Sequence, residues 1–206
     1  MKRSYHQFCA VARSLDLLGE RWTLLIVRDL MLGPRRYGEL LEGLPAMGTN
    51  LLAARLDALV AAGVCVKDGP HYALSHSGAG LREVVLALAR WEAPQMDPPR
   101  AEDRLRGDWY AVAMLAVHRP AAGPARAESY EFEIDGACFH LATGEGPPTA
   151  RRGPAQAPAF RLTADVRAFL GVVTRSRPLS TVAITGDRRA ATRWLNAFAL
   201  PVPRMA

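Results

Sequence analysis

Between Ser14 and Leu74 the chain is punctuated so often that no long element fits, and the order of its short pieces restricts the fold. Leu15, Leu18, Trp22, Leu25, Ile26 and Leu30 recur at three- and four-residue spacing, which predicts helices with one apolar face. Gly19 divides that stretch into two short helices. Leu32-Gly33-Pro34-Arg35-Arg36 stops the second, because Gly accepts the left-handed closing conformation and Pro34 cannot continue the hydrogen-bond ladder. A third short helix is expected over Tyr37 to Leu44, followed by the turn Pro45-Ala46-Met47-Gly48. From Thr49 to Ala62 the stripe Leu52, Leu56, Leu59 and Val60 points inward, leaving Thr49, Asn50, Ala53, Ala54, Arg55 and Asp57 largely off it. Gly63 ends that helix, and Val64 to Lys67, Asp68-Gly69-Pro70 and His71 to Leu74 read as strand, turn and strand.

Helix, turn, helix and hairpin in that order describe a winged helix-turn-helix domain, with Thr49 to Ala62 as the recognition helix and the hairpin as the wing. A recognition helix lays its N-terminal end into the major groove of double-stranded DNA, about 12 Å wide. Thr49 and Asn50 are placed for base edges there, and Asn suits the paired bonds that adenine offers. Arg55, one and a half turns later, is expected at a base or a phosphate. Arg35, Arg36, Lys67 and His71 are expected to anchor phosphates.

Phe8-Cys9-Ala10-Val11-Ala12, then Leu15 to Ile26 with its Leu18-Gly19-Glu20-Arg21-Trp22 centre, then Gly33-Pro34-Arg35-Arg36-Tyr37-Gly38-Glu39-Leu40 follow one another in family order. In these residues the chain resembles the HxlR group of MarR-related bacterial transcriptional regulators. Tyr37 stands where the family's turn normally carries Phe. The resemblance covers roughly the first half of the chain and implies a homodimer on a DNA operator. It also implies a role for Cys9, since some relatives use a cysteine at this N-terminal position to sense oxidants or aldehydes. Beside Phe8 and Val11 the same cysteine reads equally as a small buried hydrophobe.

With 206 residues and 50% hydrophobic content, two domains each with a core are accommodated. The formal charge of +6 favours a polyanionic partner but does not locate it: residues 1–96 carry 11 basic against 9 acidic side chains, and the rest 15 against 11. Cys9, Cys65 and Cys138 are too few and too scattered for a disulfide framework, which suits a reducing cytoplasm. No run approaches the ~20 apolar residues of a membrane span, so a cytoplasmic protein without a membrane partner is expected. Neither His6 with Cys9 nor His71 with His76 supplies a four-ligand metal site, and no phosphate-binding loop, nucleophile elbow or dinucleotide fingerprint is present; no metal and no cofactor are expected.

Ala93 to Arg100 holds three prolines and marks a boundary, giving an N-terminal domain over 1–93, a linker over 94–104 and a second domain over 105–206. In the second, Trp109 to Val117 reads as a helix and Pro120 to Arg126 as a loop. Tyr130 to Ile134 and Cys138 to Ala142 read as strands about the turn Asp135-Gly136, and Gly144 to Pro148 as a break. Ala159 to Leu162, Asp165 to Val173, Val182 to Thr185 and Asp187 to Phe198 continue as strand, helix, strand and helix. The class expected for the whole chain is α+β. Tyr130 to Gly136, Phe160 to Asp165 and Ile184 to Asp187 resemble the sterol-carrier-protein-like fold, which implies an apolar small-molecule effector. Trp109, Phe132, Phe139, Phe160, Phe169 and Trp194 are the candidate lining, although core packing accounts for each of them equally.

Two functions follow from this reading. One is a dimeric, ligand-responsive DNA-binding regulator that pairs through the segments Arg3 to Leu17 and Leu81 to Trp91, where Val84, Val85, Leu88 and Trp91 offer spare apolar surface. The other is an enzyme or lipid carrier that keeps the winged helix as a dimerisation scaffold, for which His118 and His140 with Glu131 or Glu133 are the loose acid–base candidates.

Overall fold

A computed structural model describes residues 4–119 and 126–200, and the chain divides between Val85 and Leu86 into two compact units. That division falls inside a helix, ahead of the proline-rich boundary expected at 93. The loop expected over Pro120 to Arg126 lies, apart from Arg126, outside the described residues, as does Arg3.

In the first unit α1 (Ala10–Leu18), α2 (Thr23–Leu30), α3 (Tyr37–Gly43) and α4 (Thr49–Ala61) form where the apolar periodicity places them, although Leu15, Leu25 and Val60, expected on the inward faces, are exposed. Ile26 and Leu30, Leu40 and Leu44, and Leu52, Leu56 and Leu59 bring three of these helices around one aliphatic core, closed by Val64, Cys65 and Tyr72. The hairpin is β2 (Cys65–Asp68) with β3 (His71–Leu74), and Gly69 at its tip has a φ of 53°. A two-residue strand, β1 (Arg35–Arg36), pairs antiparallel with β3 on its other side and completes a three-stranded sheet.

After the hairpin come two helices, α5 (His76–Ala79) and α6 (Arg82–Glu92). Ser75 begins α5 by accepting the Gly78 amide at 2.9 Å. At Gly78 a β-carbon would stand 1.9 Å from the Val64 carbonyl oxygen, so the close approach of α5 to the hairpin requires glycine there.

The second unit is a five-stranded sheet in the order β6-β5-β4-β7-β8, formed by β4 (Ser129–Ile134), β5 (Ala137–Ala142), β6 (Thr149–Arg152), β7 (Phe160–Ala164) and β8 (Ala183–Gly186). β4 and β7 run parallel and the other pairs antiparallel. Asp135 and Gly136, with φ of 48° and 76°, make the tight β4–β5 turn that the sequence announces. Against the sheet pack α7 (Gly107–Val117), α8 (Val166–Val173) and α9 (Arg188–Phe198), with Asp165 and Asp187 capping the last two through backbone amides. The α+β class expected from the sequence is the class observed. Among the described residues, no helix is long and apolar enough to cross a membrane.

Candidate nucleic-acid interface

The α4 stripe that enters the core fixes which side chains the helix turns outward. Leu52, Leu56 and Leu59 are fully buried, so Asn50, Ala53, Ala54 and Asp57 on the opposite side are exposed, and Thr49 stands exposed at the first helical position. The Tyr37 hydroxyl donates to the Thr49 carbonyl at 2.6 Å, tying the start of α3 to the start of α4. That bond gives the Tyr at this position a role that Phe could not fill.

Arg36, next to Tyr37, caps α3: its amide donates to Glu39 Oε2 at 2.7 Å. Its side chain reaches across the β1–β3 pair to His71, with Nε 3.4 Å from Nε2. Lys67 faces Tyr72 from β2 and holds its ammonium 5.4 Å from the ring centre. Thr49, Asn50, Arg36 and His71 thus form one strip joined through Tyr37, and Lys67 belongs to the hairpin beside it.

Two residues expected in that strip are elsewhere. Arg35 is 1% exposed and does not anchor phosphate. Successive residues of a strand point to opposite faces, so if Arg36 faces outward Arg35 must face inward beside its register partner Tyr72. Its Nε donates to the Asp29 carbonyl at 2.9 Å. Asp29 is itself buried and pairs with Arg28 at 2.8 Å, and a β-carbon at Gly43 would stand 2.5 Å from its Oδ2. The end of α2, β1 and α3 are therefore fitted around one buried aspartate. Arg55 is half-buried on the flank of α4 and pairs with Glu20 at 2.7 Å, instead of standing free for a base or phosphate. Neither arrangement has a local sequence signal: a two-residue strand has no period, and Glu20 lies 35 residues from Arg55.

In the second unit the expected ligand lining is a packed core. Phe132, Phe139, Phe169 and Trp194 are 0% exposed and Phe160 1%. Phe132 lies 5.1 Å from Phe139, 5.0 Å from Trp194 and 5.8 Å from both Phe160 and Phe169, centre to centre. The rings spend their faces and edges on one another, as packing in a core requires. Trp109, on α7, is half-buried with the Arg106 guanidinium 5.9 Å from its ring. The Trp194 indole nitrogen is buried in this cluster with no hydrogen-bond partner.

The acid–base candidates are not assembled into a pair. Glu131 faces His140 across the β4–β5 register, but its carboxylate takes the Arg161 Nε at 2.5 Å and the Ala155 amide at 2.8 Å, while His140 Nδ1 lies 3.0 Å from the Gly153 carbonyl. His118 stacks on Phe198 at 4.6 Å. Among the described residues no group of three metal-ligating side chains forms.

Cys9 is exposed at the N-cap position of α1, where the Ala12 and Val11 amides hold its thiol below the usual range. Cys65 is buried, and desolvation pushes it up to about 11.

Comparison with known proteins places this geometry. The family described as HxlR-like helix-turn-helix matches residues 17–100. An HTH-type transcriptional regulator of Synechocystis is 30% identical over 141 residues, 68% of this chain and 82% of its own length. A match of that extent cannot end within the first unit. A second such regulator, from Mycobacterium tuberculosis, is 35% identical over 121 residues, 53% of this chain and 76% of its own. Among solved structures, the quinone-bound YodB of Bacillus subtilis has 32% identity and a TM-score of 0.38 over 39% of this chain and 92% of its own.

Proposed function

Because this chain belongs to the HxlR-like helix-turn-helix family of transcriptional regulators, we propose that two copies bind a two-fold-related DNA operator and that binding responds to a small-molecule input. The observation that carries the DNA reading is the exposed first turn of α4, Thr49 and Asn50, above a fully buried Leu52, Leu56 and Leu59. In this reading Asn50 and Thr49 meet base edges, and Arg36, His71 and Lys67 hold phosphates to either side.

Dimerisation follows from surface that the first 96 residues leave uncovered. Tyr5, Phe8, Val11 and Leu15 are exposed along the N-terminal segment and α1. On α6, Val84, Leu88 and Trp91 recur at four- and three-residue spacing and are exposed as well. A second copy covers these faces and sets two α4 helices one DNA turn apart, roughly 34–36 Å. A mobility-shift titration with the DNA upstream of the protein's own gene, alongside sedimentation, tests both parts. A retarded complex of two chains per duplex is expected; a monomer at micromolar concentration, or equal affinity for unrelated DNA, overturns the reading.

The input is assigned to the second unit, read as a sterol-carrier-like module. What supports it is the orphaned Trp194 N–H within an otherwise apolar ring cluster: an apolar molecule bearing one acceptor that parted the rings would satisfy it. A second input site is favoured by its own observation, the exposed Cys9 thiol lowered by the α1 amides. Deleting the chain after Met96 separates the two. Loss of the response with DNA binding retained assigns sensing to the second unit, and a retained response moves it to Cys9.

A further inference from the structure

Glu20 occupies the turn between α1 and α2, and three features make that turn a fixed platform. The Gly19 amide closes α1 on the Leu15 carbonyl at 2.9 Å. Trp22 adopts a left-handed backbone with φ of 82°, a conformation costly for a bulky residue and held because its ring packs on the aliphatic core. Arg21 lies over that ring at 5.1 Å. From this platform the Glu20 carboxylate crosses to the middle of α4 and takes Arg55 Nη2 at 2.7 Å. Arg55 is 25% exposed at the side chain and Glu20 43%, and the Arg55 Nε is buried without a hydrogen-bond partner. An arginine held this way has its inner nitrogen already withdrawn from water and one of its two outer nitrogens committed.

We infer that Arg55 is a strut and not a DNA reader: Glu20 and Arg55 are positioning residues that fix the recognition helix α4 against the end of α1. The inference rests on the assignment of α4 to DNA. α1 presents the exposed Val11 and Leu15 to the proposed partner subunit and carries Cys9 at its start, so the Glu20–Arg55 pair is a direct polar link between the α1–α2 turn and the helix assigned to DNA. A displacement of α1 reaches α4 through this bond.

The two roles of Arg55 predict opposite behaviour in salt. A phosphate-binding cation releases a counterion when it binds, so its removal lowers the slope of log affinity against log salt by about one. A strut releases none. Operator affinity of the full chain is measured against salt on the upstream duplex for the parent, Glu20→Gln, Arg55→Gln, the double variant and the swapped pair Glu20→Arg/Arg55→Glu, with thermal melting alongside. A half-exposed ion pair implies a loss of about two- to fivefold for either single variant. The expected pattern is that the slope stays at the parent value, the double variant is no weaker than the singles, and the swapped pair regains affinity. A shallower slope in Arg55→Gln, together with tighter binding by Glu20→Gln, overturns the strut and makes Arg55 a reader that Glu20 restrains. If Arg55→Gln does not fold, Glu20→Gln alone decides by the direction of its affinity change. A parent chain that does not retard the duplex overturns the DNA assignment itself, a result distinct from either slope.

Discussion

The residues before α7 and those from α7 onward finish their surfaces differently. Every exposed large hydrophobic residue among those described, from Tyr5 to Met96, precedes the second unit's sheet and helices. In that sheet and its helices the large apolar side chains are buried or half-buried, and the aromatic ones interlock. From Gly107 onward the chain covers its own large apolar side chains, whereas the residues before it leave several exposed, on faces that the proposed function gives to a second copy of the chain, beside the polar and cationic strip that it gives to DNA. The same contrast separates the kinds of core. Aliphatic leucines on short helices fill the first unit, while the second is organised around Phe132, which touches four other rings.

If that contrast is real, the largest effect belongs to the self-contained unit. Phe132→Ala should destabilise it by about 3–5 kcal/mol, since a buried ring is replaced by a void among neighbours that cannot close it. Calorimetry on the full chain should show this unit melting earlier while operator affinity stays near the parent value. A parallel fall in operator affinity would make the two units one cooperative body and break the comparison. Trp91→Asp should do the opposite. It removes exposed apolar surface and adds charge to the proposed dimer face, at a cost of about 2–4 kcal/mol to association if Trp91 anchors the interface, with little effect on melting. Sedimentation across a concentration series reads it, and an unshifted dimer would place the interface elsewhere.

How much of this was legible in the sequence also divides by region. α2, α4 and the hairpin were readable because Leu and Ile at helical spacing, glycines at the stops and Asp68-Gly69-Pro70 act locally. What stayed hidden depended on partners distant in sequence. Arg35 has the composition of a surface residue, and only pairing with β3 turns it toward Asp29. β6 is Thr-Ala-Arg-Arg, too short and polar to announce a strand, and exists because β5 offers it an edge. The close approach of α5 to the hairpin rests on Gly78 against Val64, a contact that helical periodicity does not encode. For the candidate site, exposure at Thr49 and Asn50 was legible from the stripe opposite; which of Arg35 and Arg36 faces out, and the withdrawal of Arg55, were not. In the second unit, six aromatic side chains read equally as pocket or core, and the ring-to-ring distances show five of them packed on one another.

Within the DNA-facing strip, base and phosphate roles should separate. Asn50→Ala is expected to cost about 1–3 kcal/mol on the operator and to relax its preference over unrelated DNA. Arg36→Ala should weaken both duplexes alike and lower the salt slope by about one. Competition titrations at several salt concentrations distinguish them. Identical behaviour of both variants, or parental binding by both, would remove the strip as the interface.

The smallest effect on folding, and the sharpest on reactivity, is expected at Cys9. All three cysteines share one ordinary thiol range, and their surroundings spread them apart. Cys65 is raised to about 11 by burial, Cys138 is raised by burial and by the nearby Glu131 and Glu133, and Cys9 alone is lowered, by amides at the start of α1. The thiolate is the nucleophile, so its fraction at a given pH, together with access, sets the rate of alkylation. As pH rises toward neutrality Cys9 should therefore react first with iodoacetamide, and the other two only at higher pH or on unfolding. Cys9→Ser should leave melting unchanged, because the exposed thiol makes no packing contribution. It should abolish any release of operator caused by diamide or a quinone. Rates that are equal at all three positions would mean that the α1 amides do not activate the thiol. Release that persists in Cys9→Ser would return the input to the second unit, with its packed rings and the Trp194 N–H among them.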